Sequence, residues 1–515
     1  MNQTKHILRN VGKITTGTLM SRILGYARDM AIANFFGANW VADSFYVAYR
    51  IPNLLRRLLG EGSLTAAFIP IYTEYLEHKT REERDKFLGT VITFFTIILI
   101  IVTILGIVFT PLIVKTIAPG FTSYPERMRL AVTLTRLMFP FFIAIGLSAI
   151  FMGILHAHQI FMVPAAAPCF LSISELFFLF VVCPFLAVPI KGLAVGVVCG
   201  GAMQCLFQLP SIIKSKIKIA PYFESANKGF RRVLMLMAPS TIAVSVDQIN
   251  AFVDVICASW LAEGSVTALY YANHLMLFPL ALFGIAVASV SLPSLSKSAA
   301  YKNIEEMKAT IQSSMRIMMY LLVPSSIGLM ILAKPIVSVL FERGRFDARA
   351  SEMTAFALVF YAIGISAYAG VKILATAFYA LKDTKTPVKI AVFAMILNVE
   401  LNIILINYLN VGGLALATAI SSAFNVIFLM SALRQKIGKL GLKRIFWTAL
   451  KVILAGFIMG GVCYFSAYAV FAGHKLLQVL VSIVFGTVVY GIITYFLKVE
   501  EAHIFYNAIK NRIRK

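Results

Sequence analysis

Long apolar runs alternate with short polar breaks along the whole chain. The runs fall near residues 12–37, 41–72, 87–114, 128–156, 162–188, 191–213, 231–262, 265–294, 310–333, 351–381, 387–408, 412–433, 445–471 and 476–497. An α-helix needs about 20 apolar residues to cross a bilayer. The breaks carry Pro, Gly or charge, which end helices. The pattern therefore predicts an all-α polytopic membrane protein of about 14 transmembrane helices. A β-barrel is excluded, because the runs are continuous rather than alternating with period two. The first, second and tenth runs are too polar for simple lipid-facing helices.

The runs also repeat. Residues 142–149 read FIAIGLSA and residues 360–367 read FYAIGISA; GLAVGVVCGGAMQCLF at 192–207 answers GLALATAISSAFNVIF at 413–428. Pro164 and Pro387 each open an apolar helix between these strings. The offset spans six runs. An even number gives both copies the same orientation, so they are related by a pseudo-two-fold axis along the membrane normal. The expected organisation is an N-lobe over 1–220, a C-lobe over 221–440 and two extra helices over 441–498. An amphipathic tail over 499–515 is expected to lie on the inner leaflet. A charged run at 73–86, TEYLEHKTREERDK, reads as a short solvated helix with Glu82 four residues before Lys86. Two lobes about a cavity make a transporter architecture.

Composition agrees: 59% of residues are hydrophobic and 14% charged, against about 25% charged in soluble domains. The formal net charge is +24. Most lysines and arginines sit in alternate connections, near 73–86, 214–232, 297–308, 382–389 and 434–444, and at the C-terminal end. That bias places both termini in the cytoplasm and makes the charge topological rather than a sign of nucleic-acid binding. The six cysteines lie in apolar runs with no CxxC pair, and read as small core residues. The first run carries arginines and lacks a small-residue cleavage site, so it is expected to persist rather than be a cleaved signal. No GxxxxGK[ST] or HExxH string occurs, and the histidines lack metal-ligand spacing. The chain reads as a transporter, not an enzyme.

Charge within the runs is the informative feature, because each such residue is costly in lipid. The first two runs hold Arg22, Arg28, Asp29, Asp43, Arg50, Arg56, Arg57 and Glu61. Arg22 and Asp29 are seven apart and share a helical face; Arg28 points aside. Asp43, Arg50 and Arg57 follow the same spacing, with Pro52 as an expected kink. Glu61 lies four after Arg57, at ion-pair spacing. One reading is a self-neutralising network that fixes packing. The other is a cationic pocket with surplus arginines for an anionic ligand, phosphate above all, since the guanidinium fork donates two parallel hydrogen bonds. In the second lobe the repeat sets His274 opposite Arg50. There Asn398, Asn402 and Thr418, with Asp254, offer hard oxygen ligands of the kind sodium takes. Interhelical hydrogen bonding explains the same residues.

At these residues the chain resembles the MurJ (MviN) family, bacterial lipid II flippases of the multidrug/oligosaccharidyl-lipid/polysaccharide (MOP) exporter superfamily. The matching strings are SRILGYARD at 21–29, DSFYVAYRIPNLLRRLLGEGSLTAAFIP at 43–70, APGF at 118–121, LPSLSKS at 292–298, LFERGRF at 340–346 and DTKTPVKIA at 383–391. The resemblance implies a V-shaped cavity that opens alternately inward and outward. The implied substrate is lipid II: an undecaprenyl tail, a diphosphate and a disaccharide-pentapeptide, carried to the outer leaflet of the bacterial cytoplasmic membrane for cell wall synthesis. Arg22, Arg28, Asp43 and Arg56 align with residues the family is thought to need in its cavity, and the last two helices would groove the lipid tail. Sodium or the membrane potential is the implied energy source. The implied partners are lipid II, membrane lipids and the cell-wall synthesis machinery, with the protein acting as a monomer. One departure stands out: the family usually has arginine where this chain has His274, which is mostly neutral at pH 7 at its ordinary pKa. The alternatives are an exporter of another polyprenyl-diphosphate glycan and a cation-coupled multidrug exporter. The second predicts an acidic, aromatic cavity, contrary to the arginine surplus.

Overall fold

The computed structural model describes residues 2–56, 64–215, 217–218, 220–224, 227–471, 473–504 and 506. The described residues are helical throughout, with no strand among them. They divide into two compact units, Met1–Val266 and Thr267–Lys515.

The first unit begins with α1 (Asn2–Phe36), α2 (Trp40–Arg56), α3 (Leu64–His78) and α4 (Arg81–Val108). It continues through α5 (Thr110–Ile117), α6 (Pro125–Met138), α7 (Phe141–Ala157), α8 (Met162–Ala166), α9 (Pro168–Phe177), α10 (Pro189–Lys214) and α11 (Lys228–Ala258). Its core is aromatic where α3 meets α4: Phe68 stacks on Tyr72 and Phe87, and Tyr75 on Phe87 at 4.3 Å. The charged run 73–86 is not a separate helix. A capping box divides it: the Thr80 hydroxyl accepts the Glu83 N–H, and the Glu83 carboxylate accepts the Thr80 N–H. Two orphan donors are thereby satisfied, so α4 starts at Arg81 and the earlier residues finish α3. The expected Glu82–Lys86 pair forms at 2.7 Å.

The second unit holds α12 (Ser265–Pro279), whose first turn begins at the boundary, then α13 (Ala286–Ala300), α14 (Ile304–Ile331) and α15 (Ala333–Leu340). It is completed by α16 (Ala348–Ile363), α17 (Ile365–Ala380), α18 (Lys385–Leu409), α19 (Val411–Ile437), α20 (Leu442–Phe465) and α21 (Lys475–Phe496). The element order echoes the first unit: long α4 then eight-residue α5, long α14 then eight-residue α15. Pro164 and Pro387 are each the third residue of a helix. The duplicated strings differ in geometry, however. FIAIGLSA runs through unbroken α7, because its span already breaks at Pro140. FYAIGISA straddles Gly364, where α16 and α17 bend by 43°.

Among the described residues, ten helical stretches are long and apolar enough to cross a membrane, and the bent α16–α17 pair makes an eleventh. They correspond to the third to sixth and the eighth to fourteenth expected spans. The other three expected spans are helical as α1, α2 with α3, and α11, and fall outside these eleven. Packing also draws its divisions differently from the repeat. Helix α11 lies on α3, α4 and α5 within the first unit. Helix α20 lies on α14, and α21 on α15, so the last pair is built into the second unit. The tail starts there too: Val499, Glu501 and Ala502 are buried, and residues 507–515 lie outside the described residues.

Small residues let α20 and α21 approach closely, as in other lipid-embedded helix pairs. A Cβ on Gly486 would stand 2.4 Å from the Cys463 sulfur, whereas one on Gly491 meets nothing within 4 Å. Gly486→Val is therefore expected to destabilise the protein by about 1–3 kcal/mol through overpacking, and Gly491→Ala to leave it unchanged. Thermal unfolding in detergent, followed by a dye that reacts with the buried cysteines as they become exposed, measures the difference.

Candidate functional site

Helix α1 packs on α8 and α9. On the packed side Arg28 and Asp29 are 8% and 1% exposed, and Glu175 of α9 is 3% exposed. The Arg28 guanidinium donates to the Asp29 carboxylate at 2.8 and 3.0 Å and pairs with Glu175 at 3.2 Å. Ion groups leave water only when paired and hydrogen-bonded, so these three residues fix α1 against α9. Arg28 and Asp29 are adjacent on α1, and their side chains meet because both point into the unit. Glu175 was missed. Its signal was legible, as the lone charge in an otherwise apolar run. Arg22, on the same helix, is exposed, and Arg50 of α2 is half-buried. Pro52 lies inside α2, where the kink was expected. The Arg56 side chain, and Arg57 and Glu61 entirely, lie outside the described residues.

A second cluster sits where α2 begins. The Asp43 carboxylate, 3% exposed, accepts the N–H of Gly264 at 2.6 Å. That residue immediately precedes α12, so an anion meets the positive end of a helix dipole. Beside it the Gly120 N–H donates to the Ser259 hydroxyl at 3.0 Å. A Cβ at Gly120 would lie 2.1 Å from the Ser259 carbonyl oxygen, so only glycine permits this approach. Arg127 of α6 pairs with Glu263 at 3.5 Å and lies over the Tyr124 ring. The 259–264 segment is thus clasped to the ends of α2 and α6 and to the 118–121 turn. Asp43, read from sequence as a cavity residue, acts here as a cap. Ser259, Glu263 and Arg127 were not singled out, because nothing local links positions more than a hundred residues apart.

In the second unit His274 of α12 is half-buried, its ring 5.1 Å from that of Tyr270. Three of the four residues read as sodium ligands come together. Asn402 donates to the Asn398 amide oxygen at 3.2 Å, Asn398 to the Thr418 hydroxyl at 3.3 Å, and Thr418 to the Leu414 carbonyl at 3.0 Å. Asn398 and Asn402 are fully buried. These hydrogen bonds join α18 to α19. Asp254 belongs to α11 in the other unit. Among the described residues no group of three or more His, Cys, Asp or Glu can hold a metal ion.

Comparison with known proteins adds a family. The family model described as "Lipid II flippase MurJ" matches residues 32–486. The "Lipid II flippase MurJ" of Burkholderia cenocepacia is 36% identical over 435 residues, covering 84% of both chains. The "Probable lipid II flippase MurJ" of Buchnera aphidicola subsp. Acyrthosiphon pisum is 37% identical over 433 residues, with the same coverage. Among solved structures, "Lipid II flippase MurJ, inward closed conformation" superposes with a TM-score of 0.80 at 30% identity, over 94% of this chain and 99% of that one. An inward-facing multidrug resistance MATE family transporter of the MOP superfamily gives 0.69 at 11% identity, over 84% and 98%, a likeness of fold alone.

The buried triad separates structure from substrate contact. Arg28→Ala strands two carboxylates in the core and is expected to cost about 3–5 kcal/mol. Glu175→Gln leaves Asp29 as counter-charge and is expected to cost about 1–3 kcal/mol. Unfolding of the purified variants ranks them; an Arg28→Ala protein as stable as wild type would remove the structural role.

Proposed function

This chain belongs to the lipid II flippase MurJ family, and we propose that it carries lipid II from the inner to the outer leaflet of the bacterial cytoplasmic membrane. Its family consists of transporters rather than enzymes, and the chain is a multi-pass membrane protein. The observation that carries the reading is the division of labour among the first-unit arginines. Arg28 is held in an ion group in the core, while Arg22 is exposed and Arg50 half-buried. Guanidinium groups suit a diphosphate, which each fork grips with two hydrogen bonds.

With both termini cytoplasmic, as the basic connections favour, the clasp at Asp43, Gly120 and Arg127 lies on the outer side. The headgroup binds Arg22 and Arg50 from the cytoplasm while the tail stays in lipid, and it then leaves outward. The membrane potential, negative inside, supplies a drive: each negative charge carried outward gains about 2.3 kcal/mol per 100 mV. No step is routed through sodium.

Complementation tests this reading. In a bacterium depleted of its own lipid II flippase, the wild-type chain is expected to restore growth. Arg22→Ala and Arg50→Ala, present in the membrane at wild-type levels, are expected not to. Rescue by both variants would return these arginines to packing. Failure of a well-inserted wild type would shift the substrate to another polyprenyl-diphosphate glycan. His274→Arg, which restores the family's usual residue, is expected to keep transport, read as growth of the depleted strain.

A further inference from the structure

Away from the cluster of α1 and α2, the second unit holds a half-open cavity of about 250 Å³ between α14, the start of α20 and the turn after α21. Arg316 forms its floor. The guanidinium donates to Glu501 at 2.6 Å and also to Glu500, so the first turn of the tail is pinned to α14. Around the rim stand Lys443, Arg444, Lys451 and Lys498. Among the described residues, none of these four makes an ion pair. Five cations therefore face two carboxylates, and both carboxylates are committed to Arg316. The charges of Arg444 and Lys451 reach Glu500: its carboxyl is held below the usual range first by the Arg316 hydrogen bond, then by the charges of Arg316, Arg444 and Lys451.

Aromatic side chains fix the depth. Phe446 and Trp447 at the start of α20, and Tyr495 and Phe496 at the end of α21, are all exposed. Tyr495 also packs against Tyr506. Aromatic rings collect at the membrane–water interface, so the cations lie at headgroup level. Below them along α20, Leu450, Leu454 and Phe457 present an exposed apolar strip. A basic pocket above an apolar strip matches one phosphate with acyl chains beneath it.

We propose that this cavity binds the phosphodiester headgroup of an anionic phospholipid, with Lys443, Arg444, Lys451 and Lys498 as the phosphate ligands and Trp447 as its wall. The site is separate from the substrate arginines and does not depend on the flippase reading. Occupancy ties the last two helices and the tail to the leaflet through α14.

The test uses the full chain with Trp40→Phe and Trp260→Phe, which leaves Trp447 as the one tryptophan of three. It is placed in phosphatidylcholine vesicles containing a minor fraction of brominated phosphatidylglycerol or, separately, of brominated phosphatidylcholine. Brominated phosphatidylglycerol is expected to quench Trp447 more strongly at equal mole fraction. Each cation neutralised is expected to lower that preference by about fivefold, and K443Q/R444Q/K451Q to abolish it with helix content unchanged. These changes leave Arg316 in place, since its removal would strand buried Glu501. Equal quenching by the two lipids in the otherwise wild-type chain would overturn the site. Preference surviving in the triple variant would overturn its ligands. Relief of quenching by inorganic phosphate at constant ionic strength would assign the cavity to free phosphate instead of lipid.

Discussion

A guanidinium that leaves water must take its counter-charges with it, and the first unit is arranged around that requirement. Arg28 lies between Asp29 and Glu175, and the helices that carry them cannot part without exposing charge to a dry core. The same rule recurs in the second unit, where Arg316 brings the tail to α14 through Glu500 and Glu501. In both places a long-range ion group does what a hydrophobic effect cannot do in lipid, where an apolar side chain gains little by meeting another. Packing of small residues and hydrogen bonds such as Tyr490 to the Tyr320 carbonyl complete the job.

Much of this was legible in the chain. Run length and the polar breaks located the helices, and the six-run offset of the repeated strings is the one at which α14–α15 echoes α4–α5. What escaped was whatever depends on a partner distant in sequence. Seven-residue spacing put Arg22 and Asp29 on one face, yet could not say that the neighbours of α1 cover Asp29 and leave Arg22 open. Asp43 was picked out as a charge in an apolar helix, but its role as cap of α12 needed Gly264 beside it. Helix α11 packs on α3, α4 and α5, a preference that no internal repeat encodes. Asn398, Asn402 and Thr418 were found as a set, and the structure brings the three together between α18 and α19.

The two copies of the repeat have also become unlike in mechanics. Pro140 breaks the span early in the first copy and leaves FIAIGLSA straight, while the second copy bends at Gly364. The arginines of the first two runs belong to the first copy, and the repeat sets His274 against Arg50 in the second. One half therefore carries the charge chemistry and the other the bent helix.

The fastening of the 259–264 segment spreads its hold over three unlike contacts within the first unit. A charge-assisted hydrogen bond at Asp43 contributes about 1.5–3 kcal/mol and a neutral one at Gly120 about 1 kcal/mol. The part-exposed Arg127–Glu263 pair adds at most about 1 kcal/mol. Loss of any one therefore leaves the segment attached by the other two, and the ends of α2 and α6 stay joined to it through independent anchors.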